Sequence, residues 1–225
     1  MDWSAILAVA KGPLYDASVA VLIVGMTYRL LRVVMLGWQP DRAPVKGSRA
    51  RGVAVSYAKG AIVWPFVPWV KDTFTRSPVV YVAGGLFHLG LFVVVFFSAS
   101  HVQQWSKSVP LSWPPLPSPV VDWFAAVAIV AIVVLAINRR VSPVLRLLSG
   151  PGEMLNLLMV FLPMVTGYAH AHQLLVSHDM SFSLHMLAVD ALHVYIPFSR
   201  ISHCVFYFVS RTIHGWEFGK RAVQP

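Results

Sequence analysis

Long apolar runs, separated by charged or proline-rich stretches, dominate the hydrophobic pattern of the 225-residue chain. A helix that spans a bilayer needs about 20 predominantly apolar residues. Runs of this kind predict five transmembrane helices, over about residues 14–31, 78–102, 120–137, 154–176 and 182–209. Five spans place the two termini on opposite sides of the membrane. The expected fold is an all-α, five-helix transmembrane bundle that forms one membrane domain over 1–225.

The composition supports a membrane protein and argues against a soluble one. Hydrophobic residues make up 57% of the chain and charged residues 12%, and the mean hydropathy is +0.66. A soluble domain has about 25% charged residues. A soluble fold of this length could not bury so much apolar surface, so most of it is expected to face lipid or another span.

The distribution of positive charge predicts the orientation of the chain. The net charge is +9, and sixteen of the 18 Lys and Arg residues lie in 29–76, in 139–146 or from 200 onward. The other two are Lys11 and Lys107. Because basic residues concentrate in cytoplasmic segments, the N-terminus is expected outside and the C-terminus in the cytoplasm. The basic charge therefore indicates topology rather than nucleic-acid binding, in a multi-pass membrane protein.

Two segments need a separate interpretation. The first span is expected to be a membrane anchor rather than a cleaved signal peptide, because no basic leader precedes it. The segment 38–77 is expected to be the one sizeable cytoplasmic loop; it begins basic and becomes apolar over 61–69. Its tryptophans are typical of a segment in the headgroup region. A docking surface for a cytoplasmic partner is the other interpretation, and the two are compatible.

Sequence motifs exclude several classes of chemistry. The single cysteine, Cys204, excludes a disulfide framework, a cysteine-ligated zinc site and an iron–sulfur cluster. The chain has no phosphate-binding loop, no dinucleotide-binding fingerprint and no H-E-x-x-H motif. No catalytic residue is predicted, and the chemistry is expected to belong to bound cofactors.

Four of the nine histidines occupy positions that suit haem ligation. His88 and His101 lie in the second predicted span, and His185 and His203 in the fifth. A b-type haem takes two axial imidazoles, commonly from facing helices. The two spans run in opposite directions, so each face of the membrane receives one histidine from each. The constellation predicts two haem b groups in a di-haem cytochrome b; histidines that hydrogen-bond across the bundle are the alternative.

The spacing within each span tests this prediction. On one continuous helix, His185 and His203 are separated by five full turns and roughly 27 Å, so they share a face. His88 and His101 are roughly 20 Å apart along a helix, but their side chains differ in direction by about 140°. The rise suits two stacked haems, whereas the angle requires tilt, bending or a different ligand.

Three motifs resemble the membrane cytochrome b (gamma) subunit of respiratory nitrate reductase. They are Gly85-Leu-Phe-His-Leu-Gly90, Leu184-His185 and Ile196-Pro-Phe-Ser-Arg-Ile-Ser-His203, and the resemblance covers about 76–211. Relatives of that family include membrane cytochromes linked to dissimilatory sulfite reductase and to heterodisulfide reductase. The resemblance implies five helices, two stacked bis-histidine haems, quinol oxidation near the outer haem, and electron transfer to a cytoplasmic iron–sulfur subunit beside a catalytic subunit.

Carried over residue by residue, the resemblance assigns His88 and His203 to the inner haem and His185 to the outer haem. The family places its second-span histidines ten residues apart, which here falls on Ser98. Serine does not ligate haem iron, so His101 is the expected replacement, with His170 and His172 as alternatives. Arg200 is expected to pair with a propionate of the inner haem.

These observations predict a di-haem cytochrome b subunit that passes electrons between the quinol pool and an iron–sulfur partner. A haem-free membrane anchor and a small proton-conducting transporter are the alternatives. Asp190 and His193, inside the fifth predicted span, bear on both main interpretations. Asp190 either bonds to a neighbouring helix or takes part in proton release, and packing or a proton path is open for His193.

Overall fold

The computed structural model describes residues 2–36, 44–63, 67, 73–174 and 177–223. These residues form helices and no strand. The helices are α1 (Trp3–Lys11), α2 (Pro13–Met35), α3 (Arg49–Tyr57), α4 (Thr73–Arg76), α5 (Pro78–Phe97), α6 (Ala99–Ser108), α7 (Ser118–Val141), α8 (Pro143–Leu148), α9 (Pro151–Ala171), α10 (His178–Tyr195) and α11 (His203–Lys220). A π-helical segment, Ala58–Val63, continues α3.

Four helices in the described part of the chain are long and apolar enough to cross a membrane. They are Trp3–Met35, which joins α1 to α2, together with α5, α7 and α9. The expectation of an all-α, multi-pass membrane protein is confirmed. The fifth predicted span is not among these helices, and the five-span, N-outside arrangement stays a prediction.

The continuous helix expected over 182–209 is wrong. α10 ends at Tyr195, two 3₁₀ turns follow over Ile196–Phe198 and Arg200–Ser202, and α11 begins at His203. Proline has no N–H to donate and its ring clashes with the preceding turn, so Pro197 ends the helix. The five-turn spacing that put His185 and His203 on one face therefore does not apply.

The second predicted span is also interrupted, at Ser98. Its backbone is extended (φ −67°, ψ 137°) between the end of α5 and the start of α6. Side chains from beyond the break bond to the last carbonyl groups of α5: His101 Nδ1 lies 2.8 Å from the oxygen of Val94, Trp105 Nε1 donates to that of Val95 at 3.0 Å, and Trp113 Nε1 donates to that of Phe96 at 2.6 Å. The 140° separation of His88 and His101 assumed a continuous helix and does not apply either.

The chain divides into two compact units, one of Met1–Val19 with Ser77–Tyr195 and one of Ala20–Arg76 with Ile196–Pro225. In the first unit, small residues let α5 and α7 pack closely. A Cβ on Gly90 would lie 2.7 Å from the Cβ of Ala128, and Ala125 and Ala131 are also buried on α7. Small residues at such crossings allow the close van der Waals packing that associates helices in lipid.

In the second unit, α3 packs against α11 at positions where both helices have glycine. A Cβ on Gly52 would overlap the backbone of Gly215 and Gly219, and the Tyr57 hydroxyl donates to the carbonyl oxygen of Phe208 at 2.8 Å. The described part of the expected cytoplasmic loop 38–77 is therefore largely helical and covers one face of α11. Most of its apolar run, 61–69, lies outside the described residues.

Arg29 holds the turn between the 3₁₀ segments and α11 in the second unit. Its Nη1 donates to the carbonyl oxygens of Pro197 at 2.8 Å and Ser199 at 3.2 Å, and to the hydroxyl of Ser202 at 2.7 Å. One turn earlier on α2, a Cβ on Gly25 would lie 2.6 Å from the Cβ of Pro197. Arg29 thus supplies hydrogen bonds to backbone groups where the helix is broken, a role that its place in the basic segment 29–76 did not predict.

Replacing Arg29 is expected to destabilise the second unit. Hydrogen bonds to charged groups contribute about 1.5–3 kcal/mol each, so Arg29→Ala is expected to lower the free energy of unfolding by about 2–4 kcal/mol. Chemical unfolding of the detergent-solubilised protein, followed by circular dichroism, measures the change. The matched control is Arg32→Ala, since the exposed Arg32 only places its guanidinium 5.9 Å from the Tyr28 ring. Equal losses in both variants would contradict the assigned role of Arg29.

Candidate functional site

The first unit brings two of the predicted ligand histidines together. The ring centres of His101, on α6, and His185, on α10, are 6.3 Å apart, and the planes of the rings differ by 27°. Both residues are half-buried. Two imidazoles on opposite sides of one metal ion, each at a metal–nitrogen distance of about 2 Å, have ring centres roughly 6 Å apart. The spacing therefore fits axial ligation of one haem iron.

Helix α9 fixes the position of the His185 ring. Its Nδ1 lies 3.1 Å from the carbonyl oxygen of Pro163 and 3.4 Å from Oγ1 of Thr166. A Cβ on Gly167 would lie only 2.9 Å from Cε1 of His185. Pro163 and Gly167 are four residues apart on α9, so they lie on the same face of the helix. Together they form a cradle for this imidazole.

All four histidines predicted as haem ligands share one hydrogen-bonding feature. In each, Nδ1 bonds to a backbone carbonyl oxygen: that of Gly84 for His88 (2.7 Å), Val94 for His101 (2.8 Å), Pro163 for His185 (3.1 Å) and Arg200 for His203 (2.9 Å). A carbonyl oxygen only accepts, so Nδ1 carries a proton, and in a neutral imidazole Nε2 then carries the lone pair. Histidines that ligate metals are commonly held in this way.

The histidines proposed as alternative ligands have other partners. His170 places Nδ1 2.9 Å from the Ser181 hydroxyl and stacks on Phe182, with ring centres 4.7 Å apart. His172 places Nε2 3.5 Å from a carboxylate oxygen of Asp122. A hydroxyl group both donates and accepts, so it does not fix the tautomer of His170. The structure thus brings His101, rather than either alternative, into ring contact with His185.

The other predicted ligand pair is divided between the two units. His88 lies on α5 in the first unit, where its side chain is exposed, and Cβ atoms on Gly84 and Gly85 would meet no described atom within 4 Å. His203 is the first residue of α11 in the second unit and is also exposed. Arg200 is exposed as well, and its carbonyl group orients the His203 ring.

The residues that orient the candidate ligand histidines were not predicted from the sequence. For His185, the sequence did contain a signal: Pro163 and Gly167 are four residues apart within an apolar helix, and both contact the His185 ring. No comparable signal identified the carbonyl group of Val94 as the partner of His101, since this contact depends on the helix break at Ser98.

The tautomers can be tested directly. In histidine-labelled protein without bound haem, nitrogen NMR is expected to show His101 and His185 protonated at Nδ1 and not at Nε2, because the bond made by one ring nitrogen sets the state of the other. Single His→Gln variants assign the signals. The exposed His178, which lies beside the carboxylate of Asp179, serves as the control. Protonation of Nε2 at His101 and His185 would contradict the structure.

Comparison with known proteins adds one relative. A protein from Nitratidesulfovibrio vulgaris (strain Hildenborough) is 29% identical to this chain over 213 residues, which cover 94% of this chain and 92% of that protein. The relative is described simply as "Protein". No protein-family model matches the chain, and no solved structure matches it. The similarity thus covers two chains of nearly equal length, and no activity follows from it.

Proposed function

We propose that this chain is the di-haem cytochrome b subunit of a respiratory oxidoreductase and resembles the nitrate reductase gamma subunit family. It passes electrons between the quinol pool and a cytoplasmic iron–sulfur subunit that accompanies a catalytic subunit. The observation that carries the proposal is the shared state of four histidines, each with Nδ1 bonded to a backbone carbonyl oxygen. The 6.3 Å spacing of His101 and His185 supports it.

The ligands divide between two haem groups in this proposal. His101 and His185 hold the outer haem, a pairing supported by their ring contact. His88 and His203 hold the inner haem, and this assignment depends on the sequence resemblance. Arg200, three residues before His203, neutralises a propionate of the inner haem.

The protein contributes position and environment to the reaction. Bound haem supplies a one-electron carrier whose potential depends on its ligands and surroundings. The carbonyl groups of Val94 and Pro163 orient the two outer imidazoles through their Nδ1 atoms. This preorganisation reduces the ordering that ligation requires, and the apolar helices around the site keep the local dielectric low.

The proposed arrangement in the membrane follows from charge. Five spans with the N-terminus outside a prokaryotic cytoplasmic membrane place His101 and His185 near the outer face, where quinol binds and releases its protons. The basic segments, including 38–77 and the C-terminal tail, then face the cytoplasm and the iron–sulfur partner. A haem-free anchor for a catalytic subunit and a proton-conducting transporter are the other candidate functions, and the buried Asp190 favours the second of these.

Haem content tests the proposal. The purified wild-type protein is expected to bind two low-spin b haems, seen as two reducible components in its optical spectrum. His101→Ala and His185→Ala are each expected to remove one component and spare the other, because both imidazoles would hold the same iron. His88→Ala and His203→Ala are expected to remove the other component.

Two exposed histidines provide the controls for this series. His178→Ala is expected to retain both haems, because His178 lies at the start of α10 with its side chain 63% exposed. His172→Ala is expected to retain both haems as well. Loss of one haem in that variant would identify His172, rather than His101, as the ligand. Wild-type protein without Soret absorption would rule out the cytochrome function and leave the anchor and the transporter.

A pair of glycine substitutions on α9 tests the His185 cradle. Gly167→Ala is expected to displace the His185 ring, because the new Cβ would lie 2.9 Å from Cε1, and to lower occupancy of the outer haem several-fold. Gly152→Ala adds the same methyl group where no described atom lies within 4 Å, and is expected to retain full occupancy. Haem-to-protein ratios measure both, and equal ratios would contradict the cradle.

A further inference from the structure

A polar cluster lies buried in the first unit and includes none of the candidate ligands. Asp190, on α10, is 3% exposed, and Ser18, on α2, is 1% exposed. The Ser18 hydroxyl is 3.0 Å from Oδ1 of Asp190 and 3.2 Å from Nδ1 of His193. Tyr15 borders the cluster, with its ring centre 5.8 Å from that of His193. The segments that meet here are 172 residues apart in sequence, so only the tertiary structure forms the cluster.

The carboxyl group of Asp190 has an oxygen without a partner. Oδ2 is fully buried and makes no hydrogen bond to any described residue. A carboxylate carries two acceptor oxygens and a protonated carboxyl group carries a donor hydrogen. A buried charge that lacks pairing is very costly in an apolar interior, and more so within a membrane-spanning segment. The surroundings of Asp190 therefore favour the neutral acid.

The hydrogen-bond donors and acceptors around Ser18 also favour the protonated form of Asp190. The hydroxyl hydrogen of Ser18 has two possible acceptors besides His193: the carbonyl oxygen of Tyr15 at 2.9 Å and Oδ1 of Asp190 at 3.0 Å. If Asp190 is ionised, Ser18 can donate to only one of these two oxygens. If Asp190 is protonated, it donates to Ser18, and Ser18 donates to Tyr15. The protonated form thus leaves no competition for the one hydroxyl hydrogen.

Among the described residues, no charged side chain forms an ion pair with Asp190. The charged and titratable side chains on α10, on α1, α2 and α9 and at the end of α9, apart from the cluster itself, are Lys11, Asp16, Tyr28, Arg29, Arg32, Glu153, Tyr168, His170, His172, His178, Asp179, His185 and Tyr195. Lys11 lies over the Phe182 ring and His170 contacts Ser181. At 1.5 Å per residue, those contacts are roughly 12–14 Å from Asp190 along α10.

We propose that Asp190 is a buried carboxylic acid that holds an exchangeable proton, with Ser18 as its hydrogen-bond partner and His193 bonded to the same Ser18 hydroxyl. Release of the proton leaves a carboxylate that accepts from Ser18, and uptake returns the proton to the carboxyl group. Its link to electron transfer depends on the proposed function, in which oxidation of one quinol releases two protons and two electrons. Asp190 would first release its own proton to the outer aqueous phase and then take up one of the quinol protons. The other quinol proton would pass to the same phase, and the two electrons would pass to the haem groups.

Infrared spectroscopy tests the protonation state without any need for haem. Wild-type protein is expected to show the carbonyl stretching band of a protonated carboxylic acid, shifted in D₂O because the proton exchanges. Asp190→Asn is expected to abolish this band. Ser18→Ala removes a hydrogen-bond partner and is expected to move the band to a different frequency while the acid remains protonated.

Asp16→Asn is the matched control, because Asp16 is an exposed carboxylate on the same helix as Ser18. It is expected to leave the band unchanged. Absence of the band from wild-type protein, or its persistence in Asp190→Asn, would overturn the proposal. Circular dichroism of each variant identifies loss of fold, and Ser18→Ala provides an independent test if Asp190→Asn does not fold.

Rapid reduction by a quinol analogue tests the link to electron transfer. In haem-loaded protein, Asp190→Asn is expected to slow haem reduction about tenfold or more, because a positioned proton acceptor is lost, while the haem spectrum stays unchanged. An unchanged rate would overturn the role of Asp190 in quinol oxidation. Protein that binds no haem but retains the acid band would refute the cytochrome function and leave the buried proton site standing.

Discussion

The backbone polar groups of a membrane helix must find their partners within the protein, because lipid offers none. This constraint is most visible where the helices of this chain break. At Ser98, imidazole and indole nitrogens bond to the final carbonyl groups of α5. At Pro197, Arg29 donates to two carbonyl groups and a hydroxyl. Both interruptions are thus supported by side chains from elsewhere, and both place a candidate ligand at the start of the next helix.

The same requirement links structure to the proposed chemistry. A carbonyl group that gains a bond from Nδ1 also orients that imidazole, as is common for histidines that bind metal ions. Gly167 contributes by leaving space for the His185 ring. Asp190 presents the opposite case: one of its oxygens has no partner, and protonation removes the cost of its charge. The proposed electron and proton sites therefore follow from one principle of satisfying polar groups in an apolar medium.

Several expectations assumed that the second and fifth predicted spans are continuous helices, and the structure interrupts both. The sequence rightly indicated an all-helical membrane protein, because apolar runs of about 20 residues have few other uses. It misjudged the angle between His88 and His101 and the shared face of His185 and His203, because both estimates extended an ideal helix through Ser98 or Pro197. Pro197 could have signalled its break, since proline disrupts a helix interior. Ser98 gave no such signal, because its extended backbone is supported by residues later in the chain.

Composition and charge by themselves determined the class of the protein, the candidate histidines and the expected orientation, because hydrophobic length and positive charge act locally along the chain. Only the tertiary structure decided that His101, and not His170 or His172, contacts His185, and that Ser18 lies against Asp190. Those contacts depend on where helices break and which faces meet. Such information is distributed over residues far apart in sequence, so no local pattern contains it.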